Sequence, residues 1–365
     1  MENYEDLFAS VPDPRVQGRC LHKLSDILFI ALCTVIANGE DCMDMVSFAT
    51  ERERWLRQVI ELPNGIPSDD TFRRVLQLVD SQELGKILDN DGKQFLDNYK
   101  DKLINIDGKK IKGENPKSKG NMGLFILSAW VSDNGICIGQ QKVADKSNEI
   151  TAIPDLLDKL EITDATVSID AIGCQSDIAD KIVSKGADYL LAVKLNQKSL
   201  AEQIQEAFVY TKQVNHDEQW EYGHGRYETR SCTTLPIKEI LSPDLLDKWK
   251  SAKTAIKVTA SRTIEDTTTT RSRYYISSDE NKTAMKYNAM VRQHWSIENQ
   301  LHWHLDVTFR EDSCRIRKHN APVNMNILRK IALQIVKRYS DKSSMKKRRF
   351  RASLNANYLT QLLIT

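Results

Sequence analysis

Apolar residues recur with helical spacing through residues 1–100, and this pattern predicts an N-terminal helical domain. The segment LSDILFIALCTVIAN, residues 24–38, is almost continuously apolar, which is typical of a helix buried in a core. Ser25 is the predicted cap of this helix, and Ser68 is the predicted N-cap of the next clear helix, SDDTFRRVLQLV.

After residue 100 the pattern changes to short apolar strands. The segments KLINIDGKKIKG, GLFILSAWVS and GICIGQQKVAD predict three strands, and the pair Asn134-Gly135 predicts a hairpin between the second and the third. Helical and strand patterns then alternate, so the predicted order over residues 101–210 is βββαβαβα. Because parallel strands need crossover helices, this order predicts an α/β fold with a mixed sheet.

The remaining chain divides into three predicted parts. Residues 211–284 have period-two runs of β-branched and aromatic residues and predict a β-rich insertion. Residues 285–340 return to helical periodicity and complete the core, and residues 341–365 form a basic C-terminal segment.

Composition indicates a water-soluble protein of ordinary charge. Lys and Arg number 52 against 50 Asp and Glu, a formal net charge of +2, so attraction to nucleic acid has to come from local basic patches. The longest apolar run is too short to span a bilayer, and the N-terminus lacks a secretory signal, so we expect a cytoplasmic protein without membrane contact. The seven cysteines lack paired metal-binding spacing and are expected to be reduced.

Three acidic residues stand out because of their surroundings. Asp107 and Asp170 each end a short apolar strand and precede turn residues, where a carboxylate can face a cleft, although a single such Asp is more often a cap. On a helix of about 100° per residue, Glu298 falls within an apolar stripe with Leu301 and Leu305. A buried carboxylate needs an ion-pair partner or a metal, so a structural ion pair is the alternative to a functional role.

Two Asp and a Glu from separate parts of a chain suit phosphoryl transfer with two divalent metal ions. Carboxylate oxygens hold Mg²⁺ while leaving positions for water and a phosphate, and two ions activate the attacking and leaving oxygens. His294, Glu298 and His302 also have i, i+4, i+8 spacing that suits Zn²⁺, but no further Cys or His motif supports a zinc site.

Basic residues provide several candidates for DNA contact. The segment HGRYETR contains three of them beside tyrosines, and a solvated edge strand is the alternative. The densest basic cluster lies near the C-terminus, where solubility is the alternative role. Arg73 and Arg74 are weaker candidates, because exposed arginines on a helix are more often only solvated. The main candidates are His224, Arg226 and Arg230 in the insertion, and Lys346, Lys347, Arg348 and Arg349 in the C-terminal cluster.

The chain resembles transposases of the ISAs1 family, which includes the H-repeat-associated proteins, within the IS4-like DDE superfamily. The motifs that carry the resemblance extend over nearly the whole chain and include GIPSDDTFRRV, INIDGKKIKG, DKSNEI, SIDAIGCQ, HGRYETR and HWSIENQLHWHLDVTFREDSCRIR. The resemblance implies a ribonuclease H-like core, in which the strands ending at Asp107 and Asp170 are neighbours. It also implies that Asp107, Asp170 and Glu298 are the catalytic, metal-binding triad.

The sequence departs from the superfamily signature around the glutamate. Tyr, Arg and Lys are expected seven and four positions before it and seven after, and these positions hold Val291, His294 and Leu305. DNA-positioning roles therefore do not transfer to Val291 and Leu305, whereas His294 remains a candidate for phosphate contact.

The function implied by the resemblance is Mg²⁺-dependent DNA cleavage at insertion-sequence ends and strand transfer, with two Mg²⁺ ions for which Mn²⁺ substitutes. The expected partners are double-stranded DNA, at the element ends and the target, and a second copy of the chain in a dimer or larger assembly on DNA. A catalytically silent, domesticated DNA-binding protein and a two-metal nuclease are the alternatives.

Overall fold

The structure is a computed structural model that describes residues 7–16, 18–94, 96, 98–112, 123–144, 148–211, 215–223 and 225–364. Five helices come first: α1 (Leu24–Ile36), α2 (Cys42–Glu51), α3 (Glu53–Leu56), α4 (Asp69–Leu78) and α5 (Ser81–Gln94). The central region contains β1 (Leu103–Ile111), β2 (Leu124–Val131), β3 (Ile136–Lys142), α6 (Glu149–Lys159), β4 (Thr166–Ile169), α7 (Ser176–Ser184), β5 (Asp188–Val193) and α8 (Lys198–Tyr210).

A strand-rich segment and a final set of helices follow. The strand-rich segment contains β6 (Asn215–Gly223), β7 (Arg226–Pro236), α9 (Pro243–Lys248), β8 (Thr254–Ile264) and β9 (Thr267–Ser277). The final helices are α10 (Ala284–His294), two π-helical segments (Ile297–His302 and His304–Thr308), α11 (Ala321–Arg338), α12 (Met345–Leu354) and α13 (Ala356–Leu363).

The strands of the described residues form one mixed sheet in the order β3-β2-β1-β4-β5-β9-β8-β7-β6. Strands β1, β4 and β5 are parallel, whereas the other pairs are antiparallel. The hairpin predicted at Asn134-Gly135 is confirmed, with Gly135 at a positive φ of 65°. Strands β6–β9 extend this sheet through β9, which pairs with β5, and do not form a separate sheet.

Two hydrophobic cores lie on opposite faces of the sheet around β1, β2 and β3. One core combines α1–α5 with the π-helical segments, α11, α12 and α13, so the two ends of the chain pack together. The other core places α6, α7 and α8 against the opposite face. Helix α1 is buried on nearly all sides, as its apolar sequence predicts. No helix in the described part of the chain is both long and apolar enough to cross a lipid bilayer.

The two predicted helix caps have different outcomes. Ser68 accepts a hydrogen bond from the Thr71 backbone N–H at 3.3 Å, so this N-cap is confirmed. Ser25 is not a cap, because α1 begins one residue earlier at Leu24, where Lys23 provides no side-chain cap. All seven cysteines are free thiols, as expected.

The C-terminal basic cluster forms part of α12, and its members differ in exposure. Lys346 and Lys347 are exposed, whereas Arg349 is only 2% exposed and lies 4.0 Å from the ring centroid of Phe309. The Arg349 guanidinium donates hydrogen bonds to the backbone carbonyls of Val35, at 2.8 Å, and Thr308. This arginine therefore joins α12 to α1 and to the π-helical segment.

We expect Arg349→Ala to lower the free energy of unfolding by on the order of 3 kcal/mol, because two buried carbonyls lose their donor and a large side chain is removed. Lys347→Ala, on the exposed side of α12, should change it by less than about 0.5 kcal/mol. Urea unfolding of both variants would measure the difference. Equal stabilities would show that the buried guanidinium contributes nothing to the docking of α12.

Candidate active site

The sheet brings the two predicted aspartates to the same place. Ile106 of β1 pairs with Ile169 of β4 in parallel register, and Asp107 and Asp170 are the residues that follow. Asp170 also ends its strand with a turn, since its Oδ1 accepts a hydrogen bond from the Ile172 backbone N–H at 3.0 Å. The expectation that these two strands are neighbours is confirmed. The prediction that the first strand ends at Asp107 is wrong, because antiparallel pairing with β2 continues β1 to Ile111.

Asp107 has a strongly perturbed carboxyl group. Burial raises its pKa to about 7, and the charges of Asp170, Glu298 and Glu149 add to this rise against the lowering effect of the Gly108 N–H. The three named carboxylates therefore lie close enough to Asp107 to repel its charge.

Glu149 is a carboxylate of this site that sequence reasoning missed. It begins α6, where Asn148 is the N-cap and accepts a hydrogen bond from the Thr151 N–H at 3.2 Å. Its Oε2 lies 3.2 Å from the position that a Cβ on Gly108 would occupy, directly beside Asp107. Burial and then Asp170 raise the pKa of Glu149. The available sequence signal was the Asn-Glu pair at the predicted start of a helix.

The helical region that carries Glu298 is not a regular α-helix. After α10 the chain continues through the π-helical segments Ile297–His302 and His304–Thr308. Residues four apart on an α-helix are rotated by about 40°, so a repeat of four drifts round the helix. A π-helical turn contains more residues than an α-helical turn, so residues four apart rotate by less than a full turn and offset this drift. The side chains that share the fully buried stripe have a spacing of four, and they are Ile297, Leu301 and Leu305.

Glu298 is exposed, so the prediction that it is buried within the apolar stripe is wrong. It directly follows buried Ile297 and projects beside the stripe. Helical periodicity predicts that Trp295 lies on the same apolar face, but this side chain is 38% exposed. Glu298 nevertheless acts electrostatically on Asp107.

A buried asparagine attaches the end of α10 to β1. Asn105 Nδ2 donates to the backbone carbonyls of Gln293, at 3.0 Å, and His294, at 3.2 Å, and to Ser132 Oγ at 2.8 Å. Because Asn105 is two residues before Asp107, this contact sets the approach of the Glu298 segment to the aspartates.

The two histidines whose spacing suits zinc contact different residues of the site. His294 Nδ1 lies 2.9 Å from Ser168 Oγ on β4, and burial lowers its pKa to about 4. His302 Nδ1 lies 3.6 Å from Asp107 Oδ2, and burial lowers its pKa to about 3, with Lys330 and Lys109 acting in the same direction. Both rings are thus neutral near pH 7.

The mixed charges of residues 310–318 predict a solvated stretch, but this prediction is wrong for Glu311, which is fully buried. Its carboxylate lies 2.9 Å from Lys109 Nζ and 3.7 Å from Arg329, and it accepts a hydrogen bond from Asn326 at 2.8 Å. Burial acts to raise its pKa, but Lys109 and Arg329 outweigh this and hold the pKa below its ordinary value. Glu311 is therefore a structural counter-ion.

The candidates for DNA contact occupy different environments. Arg226 pairs with Glu228 at 2.7 Å, and Arg230 is half-buried in a groove beside α10. Arg348 pairs with Asp341 at 2.7 Å and, like buried Arg349, is held by the fold. Lys346 and Lys347 remain accessible. His224 lies outside the described residues.

The donor chemistry of the site suits a hard divalent cation. Carboxylate oxygens are the ligands that Mg²⁺ prefers, and a cation would offset the repulsion that raises the pKa of Asp107. Among the side chains that the structure describes, no three His, Cys, Asp or Glu residues form a group that could hold one metal ion.

Comparisons with known proteins agree with this arrangement. A family model described as "Transposase DDE domain" matches residues 98–335, and one described as "DDE_Tnp_1-associated" matches residues 5–90. The chain is 38% identical to "Putative transposase YncI" of Escherichia coli O157:H7, over 98% of this chain and 93% of that protein. It is 35% identical to "H repeat-associated putative transposase YhhI" of Escherichia coli K12, over 97% of this chain and 95% of that protein.

The first of these family models covers more than half of the chain, and both relatives match it almost from end to end. Together with two aspartates on neighbouring parallel strands, these similarities show that the chain belongs to the DDE transposase family.

Proposed function

We propose that this protein is an active DDE transposase that cleaves DNA at insertion-sequence ends and transfers the exposed 3′ ends to target DNA. In this proposal the mixed sheet is a ribonuclease H-like core, and Asp107, Asp170 and Glu298 are its catalytic carboxylates. The observation that carries the proposal is the parallel register of β1 and β4, which places Asp107 and Asp170 side by side, with the charge of Glu298 acting on Asp107. Neutral His294, beside Asp170, would accept or donate a hydrogen bond at the bound phosphate.

Asp107, Asp170 and Glu298 would hold Mg²⁺, which would polarise the scissile phosphate and lower the pKa of the attacking hydroxyl group. In the first step water attacks phosphorus, the P–O3′ bond breaks, and the products are a 3′-hydroxyl and a 5′-phosphate. In the second step that 3′-hydroxyl attacks a target phosphodiester and displaces a target 3′-oxygen. The carboxylates orient the reactants, and Asn105 holds the Glu298 segment against β1.

Because two element ends must be cut and joined in one event, we also propose that a dimer or larger assembly forms on DNA. Cleavage and joining at two ends would then use two copies of this site.

Cleavage of a duplex carrying the terminal repeats that flank the coding sequence should require Mg²⁺ or Mn²⁺. Carboxylate ligands bind these ions with moderate affinity, so excess EDTA should abolish product formation on a denaturing gel. Readdition of Mn²⁺ is the control for irreversible damage. Cleavage at full rate in EDTA would contradict a metal-dependent mechanism.

Glu298→Gln should lower DNA cleavage, whereas Glu311→Gln should lower the stability of the fold. The first removes an exposed charge from the site and should lower cleavage at least about 100-fold while leaving the urea midpoint unchanged. The second removes the buried carboxylate that pairs with Arg329 and one of the carboxylates that pair with Lys109, and should cost on the order of 3 kcal/mol of stability. Cleavage and urea unfolding would be measured on both variants. A stable, inactive Glu311→Gln protein beside an active Glu298→Gln protein would reverse the assignment.

Glu149→Gln should weaken divalent cation binding about tenfold, because one of the carboxylates that surround Asp107 loses its charge. Isothermal titration with Ca²⁺, in the absence of DNA, measures this directly. Asp155→Asn is the matched control, since Asp155 is an exposed residue of the same helix, α6. Equal Ca²⁺ affinities of both variants would exclude Glu149 from the cation site.

A further inference from the structure

A groove of about 800 Å³ runs between one face of the extended sheet and the end of α10. Strands β7, β8 and β9 form one wall, and residues 291–300 form the other. Ser296, Asn299 and Gln300 also line the groove, and Glu298 lies between them in the chain. The groove therefore reaches the segment that carries Glu298.

Strand pairing concentrates arginines on the groove face of the sheet. Alternate residues of a strand point to the same face, and cross-strand partners share a face. Arg230 pairs with Ala260, and Ala260 pairs with Arg271, so these three side chains lie on one face. The arginines that line the groove are Arg226, Arg230, Arg262, Arg271, Arg273 and Arg292.

Only part of this positive charge is neutralised. Glu228 pairs with Arg226 at 2.7 Å and with Arg262 at 2.9 Å, and Glu221 pairs with Arg292 at 2.8 Å.

Within the described ranges, the other three arginines, Arg230, Arg271 and Arg273, form no ion pair with a carboxylate. Burial, followed by the charge of nearby Arg292, lowers the pKa of Arg230, as expected where like charges crowd together. The guanidinium carbon of Arg273 lies 4.8 Å from the centroid of the Trp295 ring, a cation–π contact that holds this arginine against residues 291–300. A protein with a net charge of only +2 thus concentrates unpaired guanidinium groups beside its carboxylate site.

We propose that this groove is a phosphate channel that holds the sugar–phosphate backbone of the DNA strand next to the reactive phosphate. The inference rests on the proposed function and identifies how that site holds its substrate. Arginine forks bind phosphate oxygens in pairs, and several of them along neighbouring strands suit a repeating anion. Because phosphates carry no base identity, the channel positions DNA without reading its sequence.

The aromatic side chains of the same hairpin are not part of the channel. Tyr222 and Tyr227 pair directly across β6 and β7, with ring centroids 5.5 Å apart. Tyr227 lies between Arg226 and Glu228 in the strand, so it points to the opposite face. Alternation along the strand therefore places Arg226 and Arg230 on one face of the sheet and Tyr227 on the other.

The test compares two double variants of the full-length protein. Arg271→Ala/Arg273→Ala removes two exposed arginines of the channel. Arg54→Ala/Lys257→Ala removes the same charge elsewhere: Arg54 is exposed on α3, and Lys257 lies on the face of β8 opposite the channel. Binding of a fluorescein-labelled duplex of random sequence would be measured by anisotropy at several salt concentrations, with Ca²⁺ in place of Mg²⁺.

We expect the channel variant to bind DNA at least about tenfold more weakly. The slope of the logarithm of its binding constant against the logarithm of salt concentration should fall in magnitude by about 2, since each lost phosphate contact lowers that slope by close to 1. The control variant should bind within about twofold of wild type. Arg271→Lys/Arg273→Lys, which keeps the charge without the fork, should be intermediate. Thermal unfolding of each variant would show that the fold is intact.

The channel assignment is overturned if the channel variant binds like wild type, or if both alanine variants lose affinity equally. If the channel assignment is overturned but the wild-type protein cleaves a duplex carrying the terminal repeats in the presence of Mn²⁺, the proposed function stands without the channel. If instead the channel variant alone loses affinity and wild type cleaves no DNA, the channel stands and the proposed cleavage fails.

Discussion

The buried charge cluster around Lys109 is the constraint on which the arrangement of the site depends. Lys109 lies on β1, two residues after Asp107, and its Nζ is 2.7 Å from Asp306 and 2.9 Å from Glu311. Burial acts to lower the pKa of Lys109, but Glu311 and Asp306 outweigh it and raise the pKa. A buried charge without its partner costs several kcal/mol. The chain that follows the Glu298 segment therefore has to pack against β1 in the position that pairs Glu311 with Lys109.

Helix α11 extends this constraint across the sheet. It is buried along most of its length, yet several of its side chains are polar. Lys330 donates to Ser128 and Gln140, both at 2.7 Å, and Gln334 accepts from the Cys137 backbone N–H at 2.8 Å. Apolar packing alone tolerates sliding, whereas these directional bonds specify one position of α11 against β2 and β3. The proposed catalytic helix region is thus held at both ends, by Asn105 before Glu298 and by Glu311 after it.

This attachment explains why similar residues have different roles. Glu298 lies at the start of the π-helical region and Glu311 lies just after its end, but the first is exposed and the second is a buried counter-ion. Arg349 and Lys347 are two residues apart in one basic run, yet only the arginine reaches the backbone of α1. In each pair the side chains are chemically alike, and their long-range contacts separate them.

The sequence by itself determined the features that depend on neighbouring residues. Periodicity and turn chemistry predicted the N-terminal helices, the hairpin at Asn134-Gly135 and the strand that ends just before Asp170, because these follow from local backbone preferences. The predicted strand end at Asp107 was wrong, because pairing with β2 continues β1 to Ile111. Only the tertiary structure decided what lies far apart in sequence and close in space. In the folded chain Glu149 lies near Asp107, and Glu298 is exposed in a π-helical segment. Arginines from three strands and α10 line one groove. Such contacts depend on strand pairing and on the need of buried charges for partners, and neither leaves a local pattern in the chain.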